Sequence, residues 1–327
     1  MKLAFLVEET YRHDGMPLDV VRQLDAWGHH VDIVRPGSSL IELSELIRAG
    51  SHDAWVLKTV SGGPGLSMLE AAAALGATTI NDARSIRSVR DKAVAAVIAR
   101  AHGLPMPVTY FAAVPELLGS IPADRYPLVV KPADGSSGRA VHLVSTPAEL
   151  ARLGAELAGE GPLLAQVYVP NDGADLKVYS VAGELHATVR RSPLHPDHPV
   201  RESRVPLPSG TAALMHRIGA AFGLDLFGVD IIEGPDGPMV VDINDFPSFR
   251  RVPDGVARVA RAVLDLAAGA ASAGGGALGA TGTAGAAVTP LRPRAVVAPT
   301  RNTMGANMMT ANGTGAVVDA APPAYVG

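Results

Sequence analysis

The residues best suited to chemistry lie in two short segments, Gly228–Ile232 (GVDII) and Val240–Asp245 (VVDIND). Asp242 and Asn244 are two apart, so on a single strand both side chains face the same way. Between the segments stands Gly-Pro-Asp-Gly, a strong turn signal that folds the chain back and brings Asp230 within about one residue of Asp242. Two carboxylates ~4 Å apart repel by roughly 4 kcal/mol at an effective dielectric near 20. A divalent cation reverses that cost. An all-oxygen set with few protein ligands suits Mg²⁺, or Mn²⁺ in its place, bridging phosphates. The alternative is that Asp242 and Asn244 only shape the turn before Phe246 and Pro247.

A second segment, Val129–Val141, reads VVKPADGSSGRAV. Lys131 closes an apolar run, and Gly135, Ser136, Ser137 and Gly138 form a pliable hairpin tip. Such a tip exposes backbone N–H groups that suit phosphate oxygens, with Lys131 as a point charge beside them. It is not a Walker A loop, because GxxxxGK[ST] is absent and no helix follows the glycines directly. An ordinary solvated hairpin is the other reading. Third, Asp175-Leu176-Lys177 opens a hairpin that ends in Arg190-Arg191. With its turn taken as Ala182–Glu184, Lys177 and Arg191 share a face and can meet over one anion. Solvated cations are the competing account. Lys92 opens a helix after Arg90-Asp91, where a surface lysine is equally ordinary. His195, Asp197 and His198 form a polar loop in preference to a zinc site. Ser61–Gly65, after Lys58, is either an anion cradle at a helix start or a plain connection.

The elements that must position these groups follow from periodicity. Up to about residue 88, apolar runs at 2–7, 30–34, 54–58 and 78–81 alternate with helical spacing at 17–27, 40–47 and 67–75. Strand alternating with helix implies a parallel sheet covered on both faces, a Rossmann-like α/β domain over 1–88. From residue 88 the pattern changes to a helix over 91–102, strands at 128–131 and 140–144, and a helix at 148–157. A strand at 163–169 follows, then the hairpin 176–191, a helix at 211–222, the strand pair 228–233 and 239–244, and a last helix at 255–266. Beyond Ala267 the chain is largely Ala, Gly, Thr and Pro. Ordering a residue costs about 1–2 kcal/mol of backbone entropy, which such small side chains do not offset. A disordered tail over 267–327 is expected.

Composition narrows the field. The absence of cysteine removes disulfides, thiolate nucleophiles and Cys-based zinc sites together. A net charge of −4 without a long basic run argues against a nucleic-acid partner. The first residues carry only a short apolar stretch before Glu8, too short for a signal peptide or membrane span, so a cytoplasmic enzyme is expected.

In order along the chain, RDK (90–92), VVKPADGSSGR (129–139), QVYV (166–169), DGADLKVY (172–179), the arginine pair 190–191, GVDII and VVDINDFPSF (240–249) resemble the ATP-grasp superfamily. The likeness covers about residues 1–266. The ribosomal-protein glutamate ligase type of carboxylate–amine ligase is similar in NDARSIRSVRDK, AHGLPMPVT and the glycine loop. The ATP-grasp inositol-polyphosphate kinases are similar in the metal strand, although Ser248 stands where both commonly carry Gly.

The resemblance implies a pre-ATP-grasp domain followed by an α+β ATP-grasp domain of two subdomains over 89–266, with a lid hairpin at about 128–144. It further implies that Lys92 and Lys131 contact ATP phosphates, that Gly135–Gly138 closes over them, and that Asp175 belongs to the nucleotide site. Gln166 and the backbone of Val167 and Val169 would hold the adenine, and Lys177 and Arg191 would serve the transferring phosphoryl group. Asp230, Asp242 and Asn244 would bind one or two Mg²⁺. The implied activity is an ADP-forming ligase joining small-molecule or peptide carboxylates and amines, in a protein free to form homo-oligomers. A small-molecule kinase and a non-catalytic nucleotide-binding protein are the alternatives.

Overall fold

The computed structural model describes residues 1–11, 15–38, 40–58, 63–134 and 140–275. The glycine loop Gly135–Gly138, Ser61 and Gly62 of the anion-cradle reading, and residues 276–327 of the expected tail lie outside the described residues.

The chain opens with β1 (Lys2–Val7), α1 (Gly15–Ala26), β2 (His30–Val34), α2 (Leu43–Gly50), β3 (Ala54–Lys58), α3 (Gly65–Ala74) and β4 (Thr79–Ile80). All four strands are parallel, in the order β2-β1-β3-β4. Successive residues of β1 point to opposite faces, and both faces are buried, which is why the run is apolar without alternation. Leu3, Phe5 and Val7 pack beneath Val20 and Leu24 of α1. Ala4 and Leu6 pack with Leu66 and Leu69 of α3 on the other side.

Two helices follow, α4 (Ala83–Arg90) and α5 (Lys92–Ala101). Sequence periodicity anticipated the second but not the first. Asp91 separates them as the N-cap of α5, accepting from the N–H groups of Ala93 and Val94 at 2.9 and 3.1 Å. Next come β5 (Thr109–Ala112), β6 (Leu128–Pro132), β7 (His142–Val144), α6 (Pro147–Leu157) and β8 (Leu163–Val167). These strands form an antiparallel sheet in the order β5-β8-β6-β7, with Leu128, Val130, Leu163 and Ala165 in its own core.

The third sheet is antiparallel, ordered β11-β10-β9-β12-β13. It is built from β9 (Ala174–Val181), β10 (Glu184–Arg191), β11 (Ser203–Val205), β12 (Leu226–Gly234) and β13 (Gly237–Asn244), with α7 (Thr211–Phe222) between β11 and β12. Val178, Ala187, Val229 and Ile243 bury one face against α5 and α7. The other face is apolar at one end, where Tyr179, Val181 and Leu226 join the core beneath α1. At its other end it is charged.

The last helix, α8 (Gly255–Gly275), corrects the expected start of the tail. Helix continues past Leu266 because Ala267 is fully buried against the N-terminal sheet, alongside Val259 and Val263. Alanine suits that close approach and is itself a strong helix former. Among the described residues no helix is long and apolar enough to cross a membrane.

Candidate active site

The charged end of the third sheet faces the second sheet across a cleft lined by Lys92, Lys131, Asp175, Arg190, Asp230 and Asp242, among others. Register explains the convergence. Asp230 lies directly opposite Asp242 on one side and opposite Lys177 on the other. Lys177 Nζ donates to Asp230 Oδ1 at 2.8 Å. From α5, Lys92 Nζ pairs with Asp242. From β6 on the facing sheet, buried Lys131 reaches over to donate to the Val241 carbonyl at 3.1 Å. The N–H of Lys92 donates to Ala133 at 3.0 Å, tying the start of α5 to the end of β6.

One expectation is corrected. Arg190, not Arg191, enters the cleft, lying 3.0 Å from Asp230 and 3.9 Å from Asp175. Arg191 is turned out to the Pro196 carbonyl. The cause is the hairpin turn, whose loop is Ala182-Gly183 alone because Val181 pairs with Glu184. Lys177 is therefore opposite Thr188, and Asp175 opposite Arg190. A loop one residue shorter than expected moves every side chain of β10 to the other face.

The remaining expected residues fall as follows. Gln166 is buried in β8, donating to Thr109 Oγ1 at 3.0 Å, and lines the cleft with Val167 and Val169. The Val167 N–H donates to Val108 at 3.0 Å within the sheet, so it is not offered to a ligand. Asn244 sits opposite Gly228, two pairs along from the carboxylates and so on the same face of the sheet. Ser248 needs no positive φ, because Phe249 takes the left-handed position of that turn at φ 49. His195 and His198 are engaged locally, the first with Tyr168 Oη at 3.1 Å and the second with the Val200 N–H at 3.2 Å.

Sequence reasoning missed Tyr168, Asn171 and Ser192 on the cleft wall. It also missed the two-pronged ion pair between Arg90 and Asp245, at 3.1 and 2.9 Å. The Asp that ends VVDIND was the available sign.

A family model described as "RimK-like ATP-grasp domain" matches residues 89–261. The chain belongs to this family. It is by that membership an ATP-grasp ligase. A probable alpha-L-glutamate ligase of Parasynechococcus marenigrum is 29% identical over 199 residues, covering 55% of this chain but only 41% of the relative's length. Another, of Sodalis glossinidius, is 26% identical over 277 residues, covering 77% of this chain and 91% of the relative. The crystal structure of a RimK domain ATP-grasp protein from Sphaerobacter thermophilus superposes with a TM-score of 0.65 at 21% identity, over 81% of this chain and all of that one.

Within this RimK-like cleft, four cationic side chains face three carboxylates, an excess that favours a polyanionic nucleotide. Burial pushes the Lys131 ammonium down to about 8, against the pull of Asp242. Burial pushes the Asp242 carboxyl up, but Lys92, Lys131 and Lys177 outweigh it and hold the group below the usual carboxylate value. Asp175 is raised by burial and by the neighbouring Asp230 charge.

These pairs also revise the case for a metal. The mutual repulsion of Asp230 and Asp242 is already relieved by Lys92, Lys177 and Arg190, so charge alone does not demand a cation. The donor chemistry does fit one. Two carboxylates and an amide stand on adjacent strands, and the buried Asn244 Nδ2 has no hydrogen-bond partner among the described residues. Nδ2 is an N–H donor and does not bind a metal. It suits a phosphate oxygen, which would remove the cost of leaving it unpaired, while a metal would take the amide Oδ1.

Proposed function

We propose that this chain joins a carboxylate to an amine at the expense of ATP, through an acyl phosphate, releasing ADP and phosphate. The observation that carries the reading is the in-register row Asp242, Asp230 and Lys177, met by Lys92 from α5 and Lys131 from the facing sheet.

The N-terminal parallel sheet is the Rossmann-like pre-ATP-grasp domain, at about residues 1–88, and the grasp proper follows to about 266. Lys92, Lys131 and Lys177 exchange their present partners for phosphate oxygens. Gln166, Val167 and Val169 flank the adenine, with Asp175 holding Arg190 in place. A substrate carboxylate oxygen attacks the γ-phosphorus as the bond to ADP breaks, and Arg190 stabilises charge on the transferring group. The amine nitrogen then attacks the acyl carbon, sheds its proton, and phosphate leaves. Asp230, Asp242 and Asn244 suit Mg²⁺, which would supply a Lewis acid for the phosphate charge. No protein nucleophile is required, in keeping with a chain without cysteine. The relatives' names point to glutamate as one substrate, acting on a small molecule or a peptide in the cytoplasm.

The test is ADP release by the purified protein over a panel of acids and amines, with Asp242→Ala as the blank. Release is expected only when acid and amine are both present. Arg190→Ala should lower kcat by roughly 10²–10³-fold, the usual weight of one charge-stabilising donor, while Arg191→Ala stays within a few-fold. Phosphorylation of a sugar or inositol hydroxyl with no amine present would replace this reading with a kinase.

A further inference from the structure

Eleven large apolar side chains stand exposed among the described residues, and six of them fall between positions 94 and 117. Val94 and Val97 lie one turn apart on the outer face of α5, whose inner face buries Ala95 and Ala99. Val108 immediately precedes β5, and Phe111 lies within it. Val114 and Leu117 follow, before and within the 3-10 turn Pro115–Ser120. Both α5 and this turn lie against β5, so the six side chains follow one border of the second sheet. No residue from Gly103 to Pro115 is charged. A border strand that must stay unpaired is commonly guarded by charge, and this one is not.

In the order β5-β8-β6-β7, β5 is that border strand. The Val108 carbonyl accepts from the Val167 N–H of the neighbouring β8 at 3.0 Å. Main-chain groups alternate in direction along an antiparallel strand, so Tyr110 and Ala112 also address β8. Thr109, Phe111 and Ala113 then turn their N–H and C=O groups outward. Pro107 and Pro115, which have no N–H to offer, occupy the outward positions immediately beyond. The free stretch is thus bounded evenly on either side of Phe111.

We propose that β5 pairs with β5 of a second copy of this chain across a two-fold axis, Phe111 of each copy lying opposite that of the other. Two copies of one strand related in this way run antiparallel, the sense of pairing used throughout this sheet. An axis normal to the sheet keeps like faces together, so opposed residues are an even number apart. Phe111 is the centre of the outward-facing series 109, 111 and 113, and Thr109 of each copy meets Ala113 of the other. The six side chains expose roughly 500 Å² of apolar surface per copy, so the pair brings together roughly 1,000 Å², about the least that a specific interface needs. A patch without charge suits its own copy, as a contact of identical surfaces demands, better than an acidic or basic partner. None of the six lines the active-site cleft, so pairing here leaves the cleft residues in place.

Sedimentation velocity of the full chain across a micromolar concentration series should show a dimer, and a monomer throughout would overturn the proposal. Phe111→Glu sets two carboxylates against each other at the axis and should raise the dissociation constant by about thirtyfold or more, the weight of a central interface residue. Val97→Glu should weaken the dimer in the same direction, and both variants should keep the native circular dichroism. Dimers as stable as the native one in both variants reject this edge. Because the chain has no cysteine, single replacements report the axis directly. Opposed residues that exchange both hydrogen bonds hold their Cα atoms ~5.5 Å apart, within disulfide range. Oxidised Phe111→Cys should therefore run as a covalent dimer under conditions that leave Leu75→Cys, exposed just past α3, monomeric. Equal cross-linking of the two, or none in Phe111→Cys beside a native dimer, assigns dimerisation to another face and overturns the proposal.

Discussion

At the scale of single residues, the cleft holds charged groups whose burial carries a cost. Lys131 is buried with one carbonyl partner, Val241, and its ammonium is pushed down to about 8 from an ordinary 10.5. The unfolded chain therefore holds a proton that the folded chain has released between pH 8 and 10.5. Stability gained from this group rises with pH across that window, and below pH 8 the folded state bears the full cost of a buried charge. Phosphate oxygens reverse the balance by favouring the charged form. Lys131→Met should thus gain on the native chain below pH 8 and lose that gain as the pH approaches 10.5. Urea unfolding of both proteins at pH 7.5 and pH 10, without nucleotide, measures the difference. A gap that stays constant or widens with pH would show that the side chain is not held as described.

Elements decide which of those residues are brought together, and the β9–β10 hairpin shows how much of this the sequence discloses. The strands themselves, the Gly-Pro-Asp-Gly return and the pairing of Asp230 with Asp242 were all legible, because alternation and turn residues encode them locally. The choice between Arg190 and Arg191 was not. It hangs on whether the loop holds two residues or three, and Ala182-Gly183 lacks the Asn or Asp that usually marks the two-residue form. Helix α4 escaped notice for a related reason: its buried Ala83, Ile86 and Val89 make a narrow stripe among arginines and serines. Both loop residues of the hairpin have positive φ, 49 for Ala182 and 90 for Gly183, the requirement of a tight turn that follows the twist of the strands. Nothing lies within 4 Å of a Cβ placed on Gly183, so a substitution there reports backbone strain alone. Gly183→Val should destabilise by about 1 kcal/mol or more, and Ala182→Gly should stabilise by about 0.5–1 kcal/mol, in line with the left-handed penalty for residues with a side chain. Denaturant midpoints test both. A neutral Gly183→Val would mean that the loop, and with it the face assigned to Arg190, is wrong.

For the molecule as a whole, the family match begins at residue 89, yet the physical unit does not. The core beneath α1 and α8 takes Leu3, Phe5 and Val56 from the N-terminal sheet and Tyr179, Val181, Leu226, Phe246 and Phe249 from the region after residue 89. Polar groups are threaded through the same junction. Asn81 Nδ2 donates to the carbonyls of Leu226 and Asp245 at 2.8 and 2.5 Å, and its Oδ1 accepts from the N–H groups of Asp225 and Leu226 at 2.9 Å each. Lys58 Nζ donates to the Phe246 carbonyl at 2.6 Å. These contacts grip the open end of the β12–β13 pair, opposite its Gly-Pro-Asp-Gly turn, so the N-terminal sheet holds the strands that carry Asp230 and Asp242 as well as covering them. Removing the Asn81 amide leaves four backbone groups without that partner in a buried setting, at about 1–3 kcal/mol for each that finds no water. Asn81→Ala is therefore expected to lower stability by at least about 3 kcal/mol, in a single transition shared by both parts of the chain. Unfolding followed at Trp55 in the N-terminal sheet and by hydrogen exchange in β12 should coincide in native and variant alike. Separate transitions would make the first 88 residues an independent attachment and leave the position of Asp230 and Asp242 to the later strands alone.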